Sequence, residues 1–263
     1  NGVPTVTAKV RGKKVYDPRD ATTAWSNNPA LCCLDYILSD YGINDDSYNL
    51  TLVSEAADDC EARPFTCDGA FTLDGSPEEI LRALLSSMGG QVWYLQGEWA
   101  MRAAKYVTPT VYLDEGDMRS LLSITTKHSR RDNFNKVIGT FKGAETEDQA
   151  SDYTPVTDAA YVTEDAGREV VRNLDLLFTD TDAMAQDLAG LALKRNRQQV
   201  TVQGNFGLEA LNVMIGDNIY LTDTQASWTN KVFECVDWKF MIAANQDLQI
   251  AMILRENNSS VYA

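Results

Sequence analysis

Five cysteines and a single histidine are the side chains with the most reactive chemistry in this 263-residue sequence. A structural zinc site needs several Cys or His at short spacing. Cys32, Cys33, Cys60, Cys67 and Cys235 form no C-x-x-C pair, and His128 is remote in sequence from all of them. The pattern therefore predicts no metal site. Adjacent Cys32 and Cys33 on a helix point in different directions. Cys60 and Cys67 are close enough to form a small disulfide loop, the alternative to free thiols. The odd total and the helix and strand positions favour buried reduced cysteines and assembly in a reducing compartment.

Hydrolytic sites of the Ser-His-Asp or Cys-His kind would need His128 as their base. It lies in Thr125-Thr126-Lys127-His128-Ser129-Arg130-Arg131, which reads as a solvated loop or strand end. The carboxylates of Asp114-Glu115-Gly116-Asp117 and Asp45-Asp46 have the chemistry for calcium or for an acid–base pair. Neither follows EF-hand spacing. A glycosidase pair is defined by distance in space, which spacing in sequence does not supply. Both clusters read as solvated turns. There is no P-loop and no G-x-G-x-x-G. The expectation is that the chain is not an enzyme, with no catalytic, cofactor-binding or metal residues and no cofactor.

Charge narrows the partners. Lys plus Arg total 23 against 38 Asp plus Glu, a formal net charge of −15, and the pI is near 4.4. A nucleic-acid clamp or a binder of anionic membranes needs clustered cations. Here the basic clusters are short: Arg11-Gly12-Lys13-Lys14, Lys127 to Arg131, and Lys194-Arg195-Asn196-Arg197. The last of these suits the negative end of a helix. No run approaches the ~18 apolar residues of a membrane helix. Asn1-Gly2-Val3-Pro4 lacks an initiator Met and the features of a signal peptide, so the sequence reads as a segment of a longer chain.

The elements that would carry these residues follow from periodicity. Residues 3–16 alternate as a strand, a turn at 11–14 and a short second strand at Val15-Tyr16. Residues 17–28 read as a polar loop. A helix starts with Asn28 as N-cap and Pro29 at N1, with Leu31, Leu34, Leu38 and Tyr41 on one face and Gly42 after its last turn. A second helix is expected over 47–60, with Leu50, Val53, Ala57 and Cys60 as its stripe. Phe65, Cys67, Phe71 and Leu73 alternate as a strand interrupted by Asp68-Gly69. Ser76-Pro77-Glu78-Glu79 is a capping box for a helix that Gly89-Gly90 end. Val92, Tyr94, Trp99 and Met101 bracket a hairpin turn at Gln96-Gly97. Residues 137–141 read as a strand, 144–155 as an acidic mobile loop, and 180–197 as a helix. Strands follow at 199–206, 218–222, 232–242 and 248–254. The fold class is α+β. Residues 1–28 form strands and a linker, 29–115 a small helix/sheet domain, and 116–263 an antiparallel β-barrel-like domain with one packed helix.

Several segments, in order, have a further significance. Gly12-Lys13-Lys14-Val15-Tyr16-Asp17-Pro18-Arg19 and Trp25-Ser26-Asn27-Asn28-Pro29-Ala30-Leu31 resemble the tail-tip attachment protein J family, the host-specificity protein of lambda-like phages. Phe65-Thr66-Cys67-Asp68-Gly69, Ser76 to Leu81 and Met88-Gly89-Gly90 are similar to the same family. So are Arg131 to Val137, Val213-Met214-Ile215-Gly216-Asp217 and Leu254-Arg255-Glu256. The resemblance runs through nearly the whole chain and implies a baseplate-hub-like fold. It implies a homotrimeric ring closing the distal end of the tail tube, placed at the virion tail tip and assembled in the bacterial host cytoplasm. Its partners would be other tail-tip proteins, with a host receptor bound through regions outside this segment. DNA would be passing cargo only, with no membrane insertion by the segment.

An acidic lumen would keep phosphates from sticking as DNA passes; a merely solubilising surface charge is the simpler alternative. The five tryptophans and eleven tyrosines supply candidates for subunit contacts or core. Two other functions compete. A carbohydrate- or receptor-binding module predicts a shallow aromatic groove exposing Trp25, Trp93 or Trp228. A tail-associated glycan hydrolase predicts a pocket with two close carboxylates.

Overall fold

The computed structural model describes residues 10–127, 129, 132–143, 149–242 and 247–263. His128, Arg130 and Arg131, residues 1–9 of the expected first strand, and 144–148 of the expected mobile loop lie outside the described residues. The fold is a mixed α+β arrangement with several sheets.

The described residues open with a hairpin whose first strand covers the short strand expected at Val15-Tyr16. β1 (Lys14–Asp17) pairs antiparallel with β2 (Thr22–Trp25), inside the segment expected to be polar loop. The turn depends on Asp20, whose carboxylate accepts from Thr22 N at 3.0 Å, and on Ala21 in the left-handed region. α1 (Pro29–Leu38) begins where the sequence places it, with the Asn28 side chain accepting from Ala30 N. α2 (Leu50–Ala62) starts later than expected, capped by Asn49. Leu50 is therefore a first-turn residue, 54% exposed, and the buried stripe is Leu52, Val53, Ala56, Ala57 and Cys60. The strand expected at 65–73 is an extended loop. Its backbone makes single bonds to two places, Cys67 N to Asn27 O and Asp68 N to Phe178 O, instead of a ladder.

α3 (Pro77–Ser86) carries the full capping box between Ser76 and Glu79. β3 (Gln91–Leu95) and β4 (Glu98–Arg102) form the expected hairpin, with Gln96 and Gly97 both at positive φ. That geometry matches the twist of the two strands.

β5 (Val111–Leu113) and β6 (Ser123–Thr125) come next. The strand expected at 137–141 is split by Gly139 into β7 (Lys136–Ile138) and β8 (Thr140–Lys142). A Cβ at Gly139 would lie 2.1 Å from Leu174 O, so backbone passes where a side chain would stand. The expected acidic loop contains β9 (Ala150–Asp152), paired with β8, and a fully buried Tyr153. β10 (Val156–Thr157), α4 (Ala159–Glu164) and β11 (Val171–Asn173) follow, and β7 lies between β10 and β11. After α5 (Asp182–Asn196) come β12 (Thr201–Phe206), β13 (Asn218–Asp223), β14 (Trp228–Ile242) and β15 (Leu248–Glu256).

The large sheet has six strands in the order β5-β13-β14-β15-β12-β6. Every pair is antiparallel except β5 with β13. The expected barrel is an open sheet: among the described residues β5 and β6 stand at opposite edges and do not pair with each other. Each has three residues, too short to close a barrel, which needs tilted strands in a continuous register.

Two main cores result. Leu113, Val202, Phe206, Ile219, Leu221, Phe233, Ile250 and Leu254 form the sheet core. The larger core joins α1, α2 and α3 to Val137, Phe141, Tyr153, the buried face of α5, Val15 and Val261. The helix expected to pack on the barrel is buried instead in the core shared with α1, α2 and α3, beside β7 and β10. Gly89 explains the close approach, since a Cβ there would lie 2.7 Å from Leu191. Arg63 fixes the same contact through Asp187 at 2.9 Å, and Arg195 donates to Gly89 O at 2.7 Å.

Candidate functional site

The cysteines sit in packed apolar surroundings. Cys33, Cys60, Cys67 and Cys235 are buried, Cys32 is partly buried, and all five are free thiols. Burial pushes the Cys60 and Cys235 thiols up to about 12 and holds Cys33 well above the ordinary range. Such thiols are poor nucleophiles. Cys60 Sγ lies 3.7 Å from Met88 Sδ. Among the described residues no group of three or more His, Cys, Asp or Glu is arranged to hold a metal ion.

The carboxylate clusters are occupied with backbone. Asp114 Oδ1 accepts from Gly116 N at 2.7 Å and Asp117 Oδ2 from Asp114 N at 2.9 Å, which closes the turn. Glu115 turns away and accepts from the Thr224 side chain and backbone, bonds that lower its pKa. Asp45 accepts from Ser47 N at 2.9 Å and Trp99 Nε1 at 3.0 Å. The Ser47 amide is the larger cause of its lowered pKa.

The three tryptophans considered as candidates for an exposed aromatic groove have different surroundings. Trp25 is 41% exposed on β2, under the Arg11 guanidinium at 5.1 Å. Trp93 is only 7% exposed, packed with Leu52 and Ala100. Trp228 packs on the sheet core beside Phe233, with Lys231 over its ring.

A groove of about 770 Å³ lies between α3, the 66–75 loop and the 177–180 segment. Its walls include Ile80 and Ala83 from α3, Phe71 from the loop, and Leu177 and Phe178. Phe71 meets Phe178 edge-on at 6.3 Å and Tyr36 at 5.6 Å. Gly69 is required beneath them: its φ is +156°, and a Cβ would lie 2.7 Å from the Phe178 ring. Carboxylates mark the edge. Glu79 is tied to Ser76 N at 3.2 Å by the capping box, and Asp180 accepts from Thr66 Oγ1 at 2.8 Å. The described lining contains no Ser, Cys or His. Chemically, the groove offers an apolar wall, carboxylate acceptors and the Lys142 side chain. Phe71 was singled out in the sequence only as a strand residue. Leu177 and Phe178 had no periodic pattern to mark them; their place follows from the Asp68–Phe178 backbone bond.

The fold places the chain in a structural class. No family model and no curated protein matches the sequence. Solved structures do. The chain is similar to a protein of the virion of a native gene transfer agent (GTA) particle, with a TM-score of 0.58 and 16% identity over 81% of this chain and 48% of the other. It is also similar to the tail protein from Neisseria meningitidis MC58, with a TM-score of 0.53 and 16% identity over 75% of this chain and 60% of the other. The fold is thus like that of phage-type tail proteins. The chain spans 48% and 60% of the lengths of these two proteins.

Proposed function

We propose that this chain is a structural subunit of a phage-type tail, in the tail-tip or baseplate-hub portion of the virion. It is a building block whose work is to fit its neighbours. The observation that carries this reading is the fold likeness to a virion protein and a tail protein over three quarters or more of the chain. The ordered segments that resemble the tail-tip attachment family point the same way. In this reading three copies form a ring around the DNA path beside other tail-tip proteins, and receptor binding belongs to regions beyond this segment. The acidic balance of −15 then keeps the passing phosphates from adhering.

Gold-labelled antibodies against this chain, applied to purified particles, test the placement. Label at the distal end of the tail is expected; label along the tail shaft or on the capsid alone overturns it. Mapping the potential inside a reconstructed ring tests the charge argument, which predicts a negative lumen.

A further inference from the structure

The spacing of the cysteines makes Cys60 the natural partner for Cys67. The structure provides a different one. Cys32 lies in the first turn of α1, and Cys67 in the loop that leads from α2 to the groove. The Cys67 N–H donates to Asn27 O at 2.7 Å, and Cys32 Sγ lies 3.9 Å from Ser26 O. Both residues are thus held on the same short stretch, Ser26 to Asn28, while Cys60 faces Met88.

We propose that Cys32 and Cys67 are an oxidisable pair that closes to a disulfide between α1 and the loop forming the groove wall. The Cys67 side chain contacts the Cys32 thiol, and this contact together with burial raises the Cys32 pKa. Cys32 is partly buried and Cys67 buried, so Cys32 is the more exposed of the two. The oxidant is a low-molecular-weight disulfide of the glutathione class. A cysteine thiolate attacks it, forms a mixed disulfide and expels one small thiolate. The second cysteine loses its proton, attacks the mixed disulfide and expels the other. Two cysteine S–H groups and one small disulfide become one protein disulfide and two small thiols. The reaction is slow at neutral pH and accelerates as pH rises, because the attacking species is the thiolate.

The bond would close a loop across α1 and α2, and a cross-link of that span stabilises by restricting the unfolded chain. It would also fix the base of the loop that carries Gly69 and Phe71, and so set one wall of the groove.

The test uses the full chain. It is incubated with oxidised glutathione at mildly alkaline pH, or with dithiothreitol. Free thiols are then alkylated in denaturant, and the digest is read by mass spectrometry with fragmentation that separates Cys32 from Cys33. The expected product is a peptide pair linked Cys32 to Cys67, absent after dithiothreitol, with Cys33, Cys60 and Cys235 alkylated. The oxidised chain should melt several degrees above the reduced one. That rise should vanish in Cys67→Ser and persist in Cys60→Ser. A link through Cys60 or Cys33, or complete alkylation of all five thiols after prolonged oxidation, overturns the proposal.

Discussion

The two main cores are held together in different ways. In the sheet core, the four central strands β12 to β15 come from one stretch of the chain, and one hydrogen-bond ladder after another fixes their register. Alternation does the rest: Ile219 and Leu221, or Ile250, Met252 and Leu254, reach the same buried face by the period of two. In the helical core the pieces are distant in sequence. Their contacts depend on side-chain packing and on a few arginines that reach across: Arg63 to Asp187, Arg195 to Gly89, and Arg197 to Asp165. Register protects the first region against sliding; shape and single polar brackets protect the second. A ladder distributes its loss over many bonds, whereas a bracket concentrates it.

The largest expected effect is in the sheet. Phe233 is fully buried against Trp228, and Phe233→Ala should cost about 3–5 kcal/mol in urea unfolding. Hydrogen exchange should show protection lost first in β12 to β15. Leu188→Ala, in the helical core, should cost about 2–5 kcal/mol and expose α1 to α3 first. If either change strips both regions equally, the two cores are one cooperative unit and the contrast fails.

The seam between the regions comes next. Arg102, on β4, donates to Asp217 at 2.7 Å and to Gly216 O at 3.0 Å. Arg102→Ala removes charge-assisted bonds worth about 1.5–3 kcal/mol and should separate one unfolding transition into two, which calorimetry would reveal.

A smaller effect depends on pH. Arg197 is the main cause of the lowered Asp165 pKa, with Asn135 assisting. A carboxylate with a depressed folded pKa stabilises above its unfolded pKa, and that stability is lost as pH falls through the folded value. Asp165→Asn should therefore cost roughly 1 kcal/mol near neutrality, at the low end for a charged bond because water reaches the carboxylate. The difference from the parent chain should shrink below about pH 4. A penalty independent of pH would mean that the Arg197 bracket acts through shape alone. Least of all, Arg82→Ala breaks an i,i+4 pair with Glu78 whose side chains are both 78% exposed. It should change stability by no more than about 0.5 kcal/mol.

The same contrast explains what the sequence revealed. The caps at Asn28 and Ser76, the Gln96-Gly97 turn and the last four strands are local signals, and each is found in the structure. Missed elements had no local signal of that strength. β5, β6 and β11 have three residues each, too few to show a period. The extended run at 65–73 alternates like a strand, yet its partners, Asn27 and Phe178, lie on two unconnected segments. The close approach of α5 to the end of α3 relies on Gly89 being small at one contact. The groove was hidden for the same reason: Ile80, Phe71 and Phe178 meet only after three separate segments converge.

Val261 belongs to the helical core, and the Ser259–Tyr262 turn packs beside α5. Tyr262 lies under the Arg195 guanidinium at 5.3 Å, and its carbonyl accepts from Arg63 at 3.3 Å. Helices α1 to α3 precede the sheet in the chain, yet their core also takes in Val261, which follows it. Translation must pass through the entire sheet in between. A nascent chain stalled or clipped ahead of Asn258 would carry finished strands beside an unsealed bundle, a natural target for a cellular protease or chaperone.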